Sequence, residues 1–593
     1  MTIRENQKNK YCNTPNYDKF PFTSIDTEEK IVKSWESIAQ TIGDLAAKKG
    51  GDKAVIVIET YQGVMDNELI AGLSSIGHTA FINTAELFLS EDKIREITYK
   101  DITDDRIFGF MTRLKIDDFM NADKLAAARQ HVEKADGPVI VYGTGASRVA
   151  ANPSVLVYAD MTRWEIQLRM RANKVANLGL SNFEDAFSEQ YKRGFFLDWR
   201  VCDRLKKELM HSWDFVLDTN IENDPRMLAG SAIEQGLKDL TKRPFRVVPF
   251  FDPGPWGGQW MKDVCDLDKE QENFAWCFDC VPEENSLTFK VGEDTIQVPS
   301  INLVFDQPKG LMGTPVYSRF GDEFPIRFDF LDTMEGGNLS LQVHPTTEFI
   351  REEFGIPYTQ DESYYMLDAI EGADVYIGLK NGIDPKEMIS DLHRAQNEGV
   401  NFDAEKYINR LPVKKHDHIL IPNGTVHCSG EGGMVLEISA TPYIFTFKLW
   451  DWGRLGMDGK PRPINIERGE KVIDWTRDED FVKKELFNVI EPVAEGEGWR
   501  EERTGLHRNE FIETRRHWFS TSVHHDTNGI VNVLNLIEGR EAIVESPTGA
   551  FEPFVVHYAE TFIVPAEVGA YTIRPYGESE GKEIATLKAY VRV

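Results

Sequence analysis

The sequence predicts a multidomain protein in which an N-terminal, doubly wound α/β domain precedes two β-sandwich barrels, the first with a helical insertion. Its 593 residues are too many for one hydrophobic core. Up to about residue 245, short apolar strands alternate with helical patterns, and beyond that point strand patterns dominate. Residues 416–427 and 557–573 share one layout, a strand, a proline, a small turn and a second strand. That repetition predicts two barrels of the same kind.

The α/β domain is predicted from its first apolar run. Residues 54–59 (AVIVIE) form a continuous apolar stretch, which is typical of a buried parallel strand. A helical pattern over residues 27–49 precedes this strand and ends at Gly50 and Gly51. Later strands are predicted at residues 78–83, 138–142, 155–160 and 214–218, and later helices at residues 66–75, 122–134, 164–175 and 191–209.

Within the strand-rich part, residues 384–410 have a helical pattern that we interpret as an insertion into the first barrel. Asp384 suits a helix N-cap, and Pro385 suits a first helical turn. Strands resume at Val413, and a last strand-rich region begins near residue 480. We therefore assign residues 1–245 to the α/β domain, 246–470 to the first barrel and 471–593 to the second barrel.

The amino-acid composition limits which binding partners and which cellular compartment we expect. The formal net charge is −30, which disfavours nucleic acid and anionic membranes as general partners, because phosphate groups attract Lys- and Arg-rich surfaces. No 18-residue apolar run and no signal peptide are recognisable, and six cysteines in so long a chain do not make a disulfide framework. Cys277 and Cys280 form a single CxxC, for which buried thiols are favoured over a zinc knuckle. We expect a cytoplasmic protein, and the sequence does not fix its oligomeric state.

A candidate metal site centres on residues 336–368. The alternating run 339–344 (LSLQVH) predicts a strand, and residues two apart on a strand point to the same face, so Gln342 and His344 share one face. Glu362 opens a second predicted strand, and His427 ends the later segment 413–427. Donors of these types on strands of one sheet can surround a divalent ion, and imidazole with carboxylate suits zinc or a similar first-row metal.

The order of several motifs resembles that of class I mannose-6-phosphate isomerases. QVHP is followed by an acidic residue before an aromatic pair and LDA, and then by IPNGTVH. The flanking segments PWGGQWMKD, FPIRFDFLD, VLEIS and KLWDWGRLGMDGKPRPINIE also resemble the family. The resemblance runs from about Pro255 to the C-terminus. It implies cupin-type barrels, a zinc ion or another divalent metal, a sugar-phosphate substrate, and the metal ligands Gln342, His344, Glu362 and His427.

The same resemblance suggests which residues act beside the metal. Lys448 stands where the family has an essential Arg, and Arg454 with Asp451 matches a segment of the bacterial branch. We predict Lys448 and Arg454 as catalytic residues. Gln360 replaces a family Lys two residues before the ligand Glu, and Ile444 replaces an Asp. Possible replacements for the changed groups are Tyr364, Tyr365 and His418.

The second barrel is predicted to hold no metal. Ala570 and Tyr571 occupy the positions that Val426 and His427 have in the first barrel. His524 and the residue after it, His525, cannot converge on one ion if they lie on a strand, because adjacent side chains point to opposite faces.

The α/β domain distantly resembles a uridine-kinase-type P-loop domain. The loop after residues 54–59 lacks the Lys and hydroxyl of a P-loop and reads ETYQGVMDNE instead, which predicts an inactive domain. The loop 143–147 (GTGAS) is best interpreted as a plain strand-to-helix turn. Three basic residues, Arg169, Arg171 and Lys174, follow on one helix, where we favour a solvated face over an anion site.

Three functions remain open at this point. The first is a zinc-dependent isomerase that converts mannose 6-phosphate to fructose 6-phosphate. The second is a sugar- or sugar-phosphate-binding regulatory protein that keeps the metal site without turnover, which Gln360, Ile444 and Lys448 favour. The third is a bifunctional kinase–isomerase, which the missing P-loop Lys disfavours.

Overall fold

The structure is a computed structural model that describes residues 10–441, 443, 445–455 and 464–593. Ile444, which the sequence singled out, lies outside these residues. The described chain is multidomain and rich in β-sheet, with an α/β part followed by two pairs of facing antiparallel sheets. None of its described helices is both long and apolar enough to cross a membrane.

The α/β domain has a seven-stranded central sheet in which five consecutive strands, up to one edge of the sheet, are parallel. Their side chains alternate between two hydrophobic clusters, one on each face of the sheet. Helices Trp35–Gly50 and Asp66–Leu73 pack on one face, and helices Ala122–Lys134 and Trp199–Leu209 contribute to the other. The strands lie in the order Val32–Lys33, Arg226–Ala229, Phe215–Asp218, Val155–Asp160, Val55–Thr60, Val139–Gly143 and Ala80–Asn83.

The predicted relation to P-loop domains is not supported. The loop after the strand Val139–Gly143 is the strand-to-helix turn that the sequence predicted, with Gly145 in the left-handed region at φ 86°. Two of its backbone amides are already used, because the buried carboxylate of Glu59 accepts hydrogen bonds from Gly145 N–H and Ser147 N–H. Burial raises the pKa of Glu59 to about 7 although these amides lower it. An internal carboxylate thus takes two amides that a phosphate bound at the loop 143–147 would need, which supports the interpretation of this loop as a plain turn.

The interpretation of the basic helix as a solvated face is wrong for one of its arginines. The helix spans Arg163–Arg171, and Arg169 on it is buried and donates a 2.8 Å hydrogen bond to the carbonyl of Gly63. Arg171 forms an ion pair with Asp252, and Lys174 forms one with Glu222. Burying a guanidinium is tolerated here because nearby carbonyl oxygens satisfy its donors.

The first barrel is a sandwich of a six-stranded and a five-stranded antiparallel sheet. The predicted insertion begins as expected, because Asp384 caps the helix Pro385–Glu398. Its predicted end is wrong, since residues 408–412 form a strand that pairs with Asp374–Leu379. In spatial order the sheets are His418–Ile421, Asp361–Ala369, Gly433–Ala440, Arg327–Asp332, Trp276–Cys280 and Phe250–Asp252, and then Ile408–Pro412, Asp374–Leu379, His427–Ser429, Leu341–Val343 and Phe447–Trp450.

The second barrel repeats the architecture with sheets of six and four strands. His524 is exposed and His525 is buried, as adjacent strand residues should be. Tyr571 donates a 2.9 Å hydrogen bond to Asn532, so this position is structural. The strands in spatial order are Glu491–Gly496, Trp499–Gly505, Ile512–Phe519, Ile584–Val591, Asn532–Glu538 and Thr561–Val564, and then Val523–Asp526, Ala570–Pro575, Glu541–Glu545 and Phe554–His557.

Shorter elements join these units. The hairpin Ser286–Val291 with Asp294–Pro299 takes up Thr23–Ser24 as a third strand. The remaining α-helices are Glu91–Ile102, Ala146–Val149, Phe187–Arg193, Gly230–Leu240, Trp260–Val264, Ile301–Asp306, Pro308–Met312, Thr314–Phe320, Thr347–Phe354, Ala404–Tyr407, Ile466–Val472 and Glu479–Phe481.

Glu283 is a buried ionic hub between the α/β domain and the first barrel. Its carboxylate lies 3.5 Å from Arg163 and 3.6 Å from Arg200 of the α/β domain, and 3.9 Å from Arg327 of a barrel strand. We expect Glu283→Gln to lower the free energy of unfolding by about 3 kcal/mol, because three buried or nearly buried guanidinium groups lose one shared counter-charge, although Arg163 keeps Asp203 at 2.7 Å. Urea denaturation measures this loss, and the exposed Glu371→Gln is the matched control. Equal midpoints for the two variants would contradict the expectation.

Candidate metal centre

The two sheets of the first barrel both contribute to one buried cluster of donor atoms. Gln342 on the strand Leu341–Val343 lies directly opposite His427 on the neighbouring strand. His344 is two residues from Gln342, whereas Glu362 lies on the six-stranded sheet. The prediction that the donors come from strands of one sheet is therefore wrong. The carboxylate approaches the imidazoles from the opposite sheet of the sandwich. The spacing of these residues along the chain does not show that they lie on different sheets.

The donor atoms converge on one point. Glu362 Oε1 lies 3.1 Å from His344 Nε2 and 2.8 Å from His427 Nε2. The amide nitrogen of Gln342 lies 3.2 Å from His427 Nε2, and a 180° turn of the amide would present its oxygen there. All of these side chains are buried. The structure thus brings together the side chains that the sequence predicted as metal ligands.

In both imidazoles, Nδ1, the ring nitrogen that faces away from Glu362, already forms a hydrogen bond. His344 Nδ1 lies 2.8 Å from the carbonyl oxygen of Phe445, and His427 Nδ1 lies 2.9 Å from that of Thr425. Because a carbonyl oxygen only accepts, each Nδ1 carries the ring hydrogen and donates it. In the neutral tautomer each Nε2 then turns a lone pair toward Glu362.

Glu362 is the negatively charged member of the cluster. Burial alone would raise the pKa of Glu362, but the imidazoles of His344 and His427 hold it well below its usual range. Burial lowers the pKa of His344, and the Glu362 carboxylate more than reverses that effect. His344 Nε2 and Glu362 Oε1 have no hydrogen-bond partner among the described residues. Two imidazole nitrogens, a carboxylate and an amide fit zinc or another divalent first-row ion.

A cavity of about 520 Å³ adjoins this cluster. Gln342 and Gln360 line it, and Gln360 donates a 2.9 Å hydrogen bond to Glu362 Oε2. The amide that replaces the family's Lys therefore orients a predicted metal ligand. Three lining residues carry a buried polar atom without a hydrogen-bond partner within the described chain: Trp256 Nε1, Asp329 Oδ1 and Gln360 Oε1. Such atoms are costly unless water or a ligand engages them, and together they offer one donor and two acceptors.

Glu437 is a functional candidate that the sequence analysis missed. It lines the cavity and lies opposite Asp329 on one neighbouring strand and Tyr364 on the other. Burial, followed by the carboxylates of Glu362 and Asp329, raises the pKa of Glu437 well above its usual range. The pKa of Asp329 is itself raised to about 8, mainly by burial. A charged residue inside the apolar run VLEIS was the available signal.

Only some of the residues predicted to act beside the metal lie at the cavity. Lys448 lines the cavity, on the strand beside Gln342. Arg454 is not among the cavity's described lining residues, and its guanidinium pairs with Asp451 at 2.9 Å. Tyr364 shares a strand face with Glu362. Tyr365 and His418 point away from the cavity, because Tyr365 contacts His416, and His418 Nε2 lies 2.9 Å from Ser363 Oγ. These two are therefore excluded as replacements by their position.

Comparison with known proteins extends these observations. Over 236 residues, 40% of this chain and 69% of the relative, the sequence is 24% identical to the mannose-6-phosphate isomerase ManA of Bacillus subtilis. It is 26% identical to the mannose-6-phosphate isomerase of Streptococcus mutans over 222 residues, which cover 37% of this chain and 64% of that protein. This chain is phosphomannose isomerase-like. The similarity spans less than half of the isomerase-like chain.

Two further matches complete the comparison. The crystal structure of the Bacillus subtilis mannose 6-phosphate isomerase aligns with 59% of the isomerase-like chain and 99% of its own, at 19% identity and a TM-score of 0.47. Residues 34–242, which make up most of the α/β domain, match a family described as a domain of unknown function (DUF8485).

Proposed function

We propose that the protein is a metal-dependent aldose–ketose isomerase that acts on a sugar phosphate and converts mannose 6-phosphate to fructose 6-phosphate. The observation that carries this proposal is the convergence of two tautomer-fixed imidazoles and the Glu362 carboxylate beside a cavity. Similarity to mannose-6-phosphate isomerases supports it. The metal would be held by Gln342, His344, Glu362 and His427.

The isomerisation defines what the side chains must do. The proton on C2 of the aldose is removed and one is added at C1 through an enediol, while the hydroxyl on C2 loses its proton and the carbonyl oxygen on C1 gains one. When bound, a divalent ion supplies charge stabilisation for the sugar oxygens. We assign the transfer between C2 and C1 to Glu437, which lines the cavity beside the ligand cluster: its carboxylate form takes the C2 proton, and the carboxylic acid so formed gives that proton to C1.

Other cavity residues bind and orient the sugar. Gln360 holds Glu362 in place, and Lys448 adds a positive charge for an anionic substrate. The unpartnered atoms of Trp256, Asp329 and Gln360 match the alternating donors and acceptors of a polyhydroxylated chain. A substrate hydroxyl can satisfy each of them and remove the cost of an unmade hydrogen bond.

A coupled assay tests the proposal. Mannose 6-phosphate is offered to metal-loaded and to chelated protein, and fructose 6-phosphate is measured while mass spectrometry gives the metal content. We expect product only with metal-loaded protein and recovery when metal is restored. A metal-loaded protein that forms no fructose 6-phosphate would overturn the proposed reaction.

One observation favours a second candidate, a sugar-phosphate-binding protein without turnover. Gln360, a neutral amide, holds the place of the family's Lys and uses its nitrogen on Glu362. Calorimetric binding of mannose 6-phosphate without isomer formation would favour this candidate over the isomerase.

A further inference from the structure

The cavity beside the metal centre is not formed by the barrel alone. Two helices of the α/β domain, Arg163–Arg171 and Phe187–Arg193, border it. Six of their residues line the cavity, and we call four of these the aromatic wall: the rings of Trp164, Phe187 and Tyr191 together with Arg171, which packs between two of them. The same cavity is lined by Gln342 and Gln360 of the metal centre. Whatever fills it meets residues from both domains.

The aromatic wall is anchored to the barrel by directional contacts. Glu284 accepts a 3.0 Å hydrogen bond from the Tyr191 hydroxyl at one oxygen and a 2.9 Å hydrogen bond from Gln167 at the other. Arg171 donates to both oxygens of Asp252, each at 2.8 Å. The bidentate Arg171–Asp252 pair and the Glu284 carboxylate, which accepts a hydrogen bond at each oxygen, fix both the orientation of the two helices and their distance from the barrel.

The rings of the wall are held in place by their neighbours. Trp164 stacks on Phe250 with a centroid distance of 4.3 Å and an interplanar angle of 18°. The Arg171 guanidinium lies 5.2 Å from the Trp164 ring centroid and 4.6 Å from that of Phe187. These contacts pre-organise an apolar surface beside polar groups, which is the composition of a pocket for a small polar molecule with apolar faces.

We propose that the α/β domain is the specificity element of this active site, and that the aromatic wall packs against the carbon chain of the sugar away from C1 and C2. This rests on the proposed isomerase function and extends it, because it assigns a substrate-contacting role to the domain of unknown function. Sugars present C–H groups on the faces of their carbon skeleton, and aromatic rings provide a matching apolar surface. The wall binds substrate and transition state alike, so its loss raises KM and leaves kcat nearly unchanged.

Trp164→Ala and Phe187→Ala test the wall, because both side chains are only half-buried and their removal leaves the domain core intact. We expect KM for mannose 6-phosphate to rise on the order of tenfold for each variant, with kcat within about twofold and metal content unchanged. Trp164→Phe keeps an aromatic ring and should restore most of the affinity. Tyr99→Ala, on an exposed tyrosine of the same domain, is the matched control.

A binding measurement separates this inference from the proposed reaction. Mannitol 6-phosphate has no carbonyl group to isomerise. Its dissociation constant therefore measures how much the aromatic wall contributes to binding, independently of turnover. Weaker binding by both alanine variants supports the wall even if the wild-type protein forms no fructose 6-phosphate. If KM and the dissociation constant are unchanged in stably folded variants, the proposed role of the aromatic wall is wrong, whereas the proposed isomerase function is unaffected. Wild-type protein that neither binds mannitol 6-phosphate nor turns over mannose 6-phosphate overturns both.

Discussion

Replacing His344 with alanine is expected to remove the bound metal and to lower isomerase activity on the order of a thousandfold or more. The imidazole supplies one of the nitrogens that face the Glu362 carboxylate, at 3.1 Å. Without it, Gln342, Glu362 and His427 offer a single imidazole nitrogen, which we expect to be too weak a donor set to retain the ion, and the charge stabilisation worth several kcal/mol is lost. Mass spectrometry of the purified variant and the coupled assay measure the two effects separately.

The matched control is His524→Ala, which removes an exposed histidine from the second barrel. It should leave both the metal content and the rate unchanged. If His344→Ala retained the wild-type metal content and activity, the assignment of the ligand cluster would be wrong.

Glu437→Gln is expected to lower kcat by about 10²- to 10⁴-fold while the protein keeps its metal. The amide has almost the same shape as the carboxyl group, so the cavity stays filled, but it cannot carry a proton between C2 and C1. Retained metal distinguishes this outcome from loss of a ligand, and it is read from the same preparation as the rate.

Glu431→Gln is the matched control for this change, because Glu431 is exposed on the turn before the same strand. A Glu437→Gln variant with wild-type kcat and wild-type metal content would exclude Glu437 as the proton-transfer group. Loss of metal from that variant would instead assign Glu437 a structural role beside Glu362.

Much of the local structure follows from patterns within a few residues. The apolar run 54–59 predicted the buried strand Val55–Thr60, because a parallel strand between two helical layers is apolar on both faces. The two-residue spacing of Gln342 and His344 predicted a shared face, because side chains alternate along a strand. Asp384 before Pro385 predicted a helix start.

Other features depend on contacts between distant parts of the chain. Glu362 comes from the sheet opposite His344, and no local pattern records which sheet a strand joins. Arg169 has the sequence of a surface residue, yet carbonyl groups from other loops satisfy it inside the domain. The aromatic wall depends on the docking of two helices onto a barrel that begins about 60 residues later in the chain.

The neighbouring residues Glu283 and Glu284 make the two halves of the molecule interdependent. Glu283 gathers arginines from both domains, and Glu284 holds the Tyr191 and Gln167 side chains. Separation of the domains would expose these charged groups to water or leave them buried without their partners. Unfolding of one domain therefore destabilises the other. We therefore expect the α/β domain and the first barrel to unfold in one calorimetric transition. The same coupling means that the α/β domain cannot be exchanged for an unrelated one without redesign of this junction.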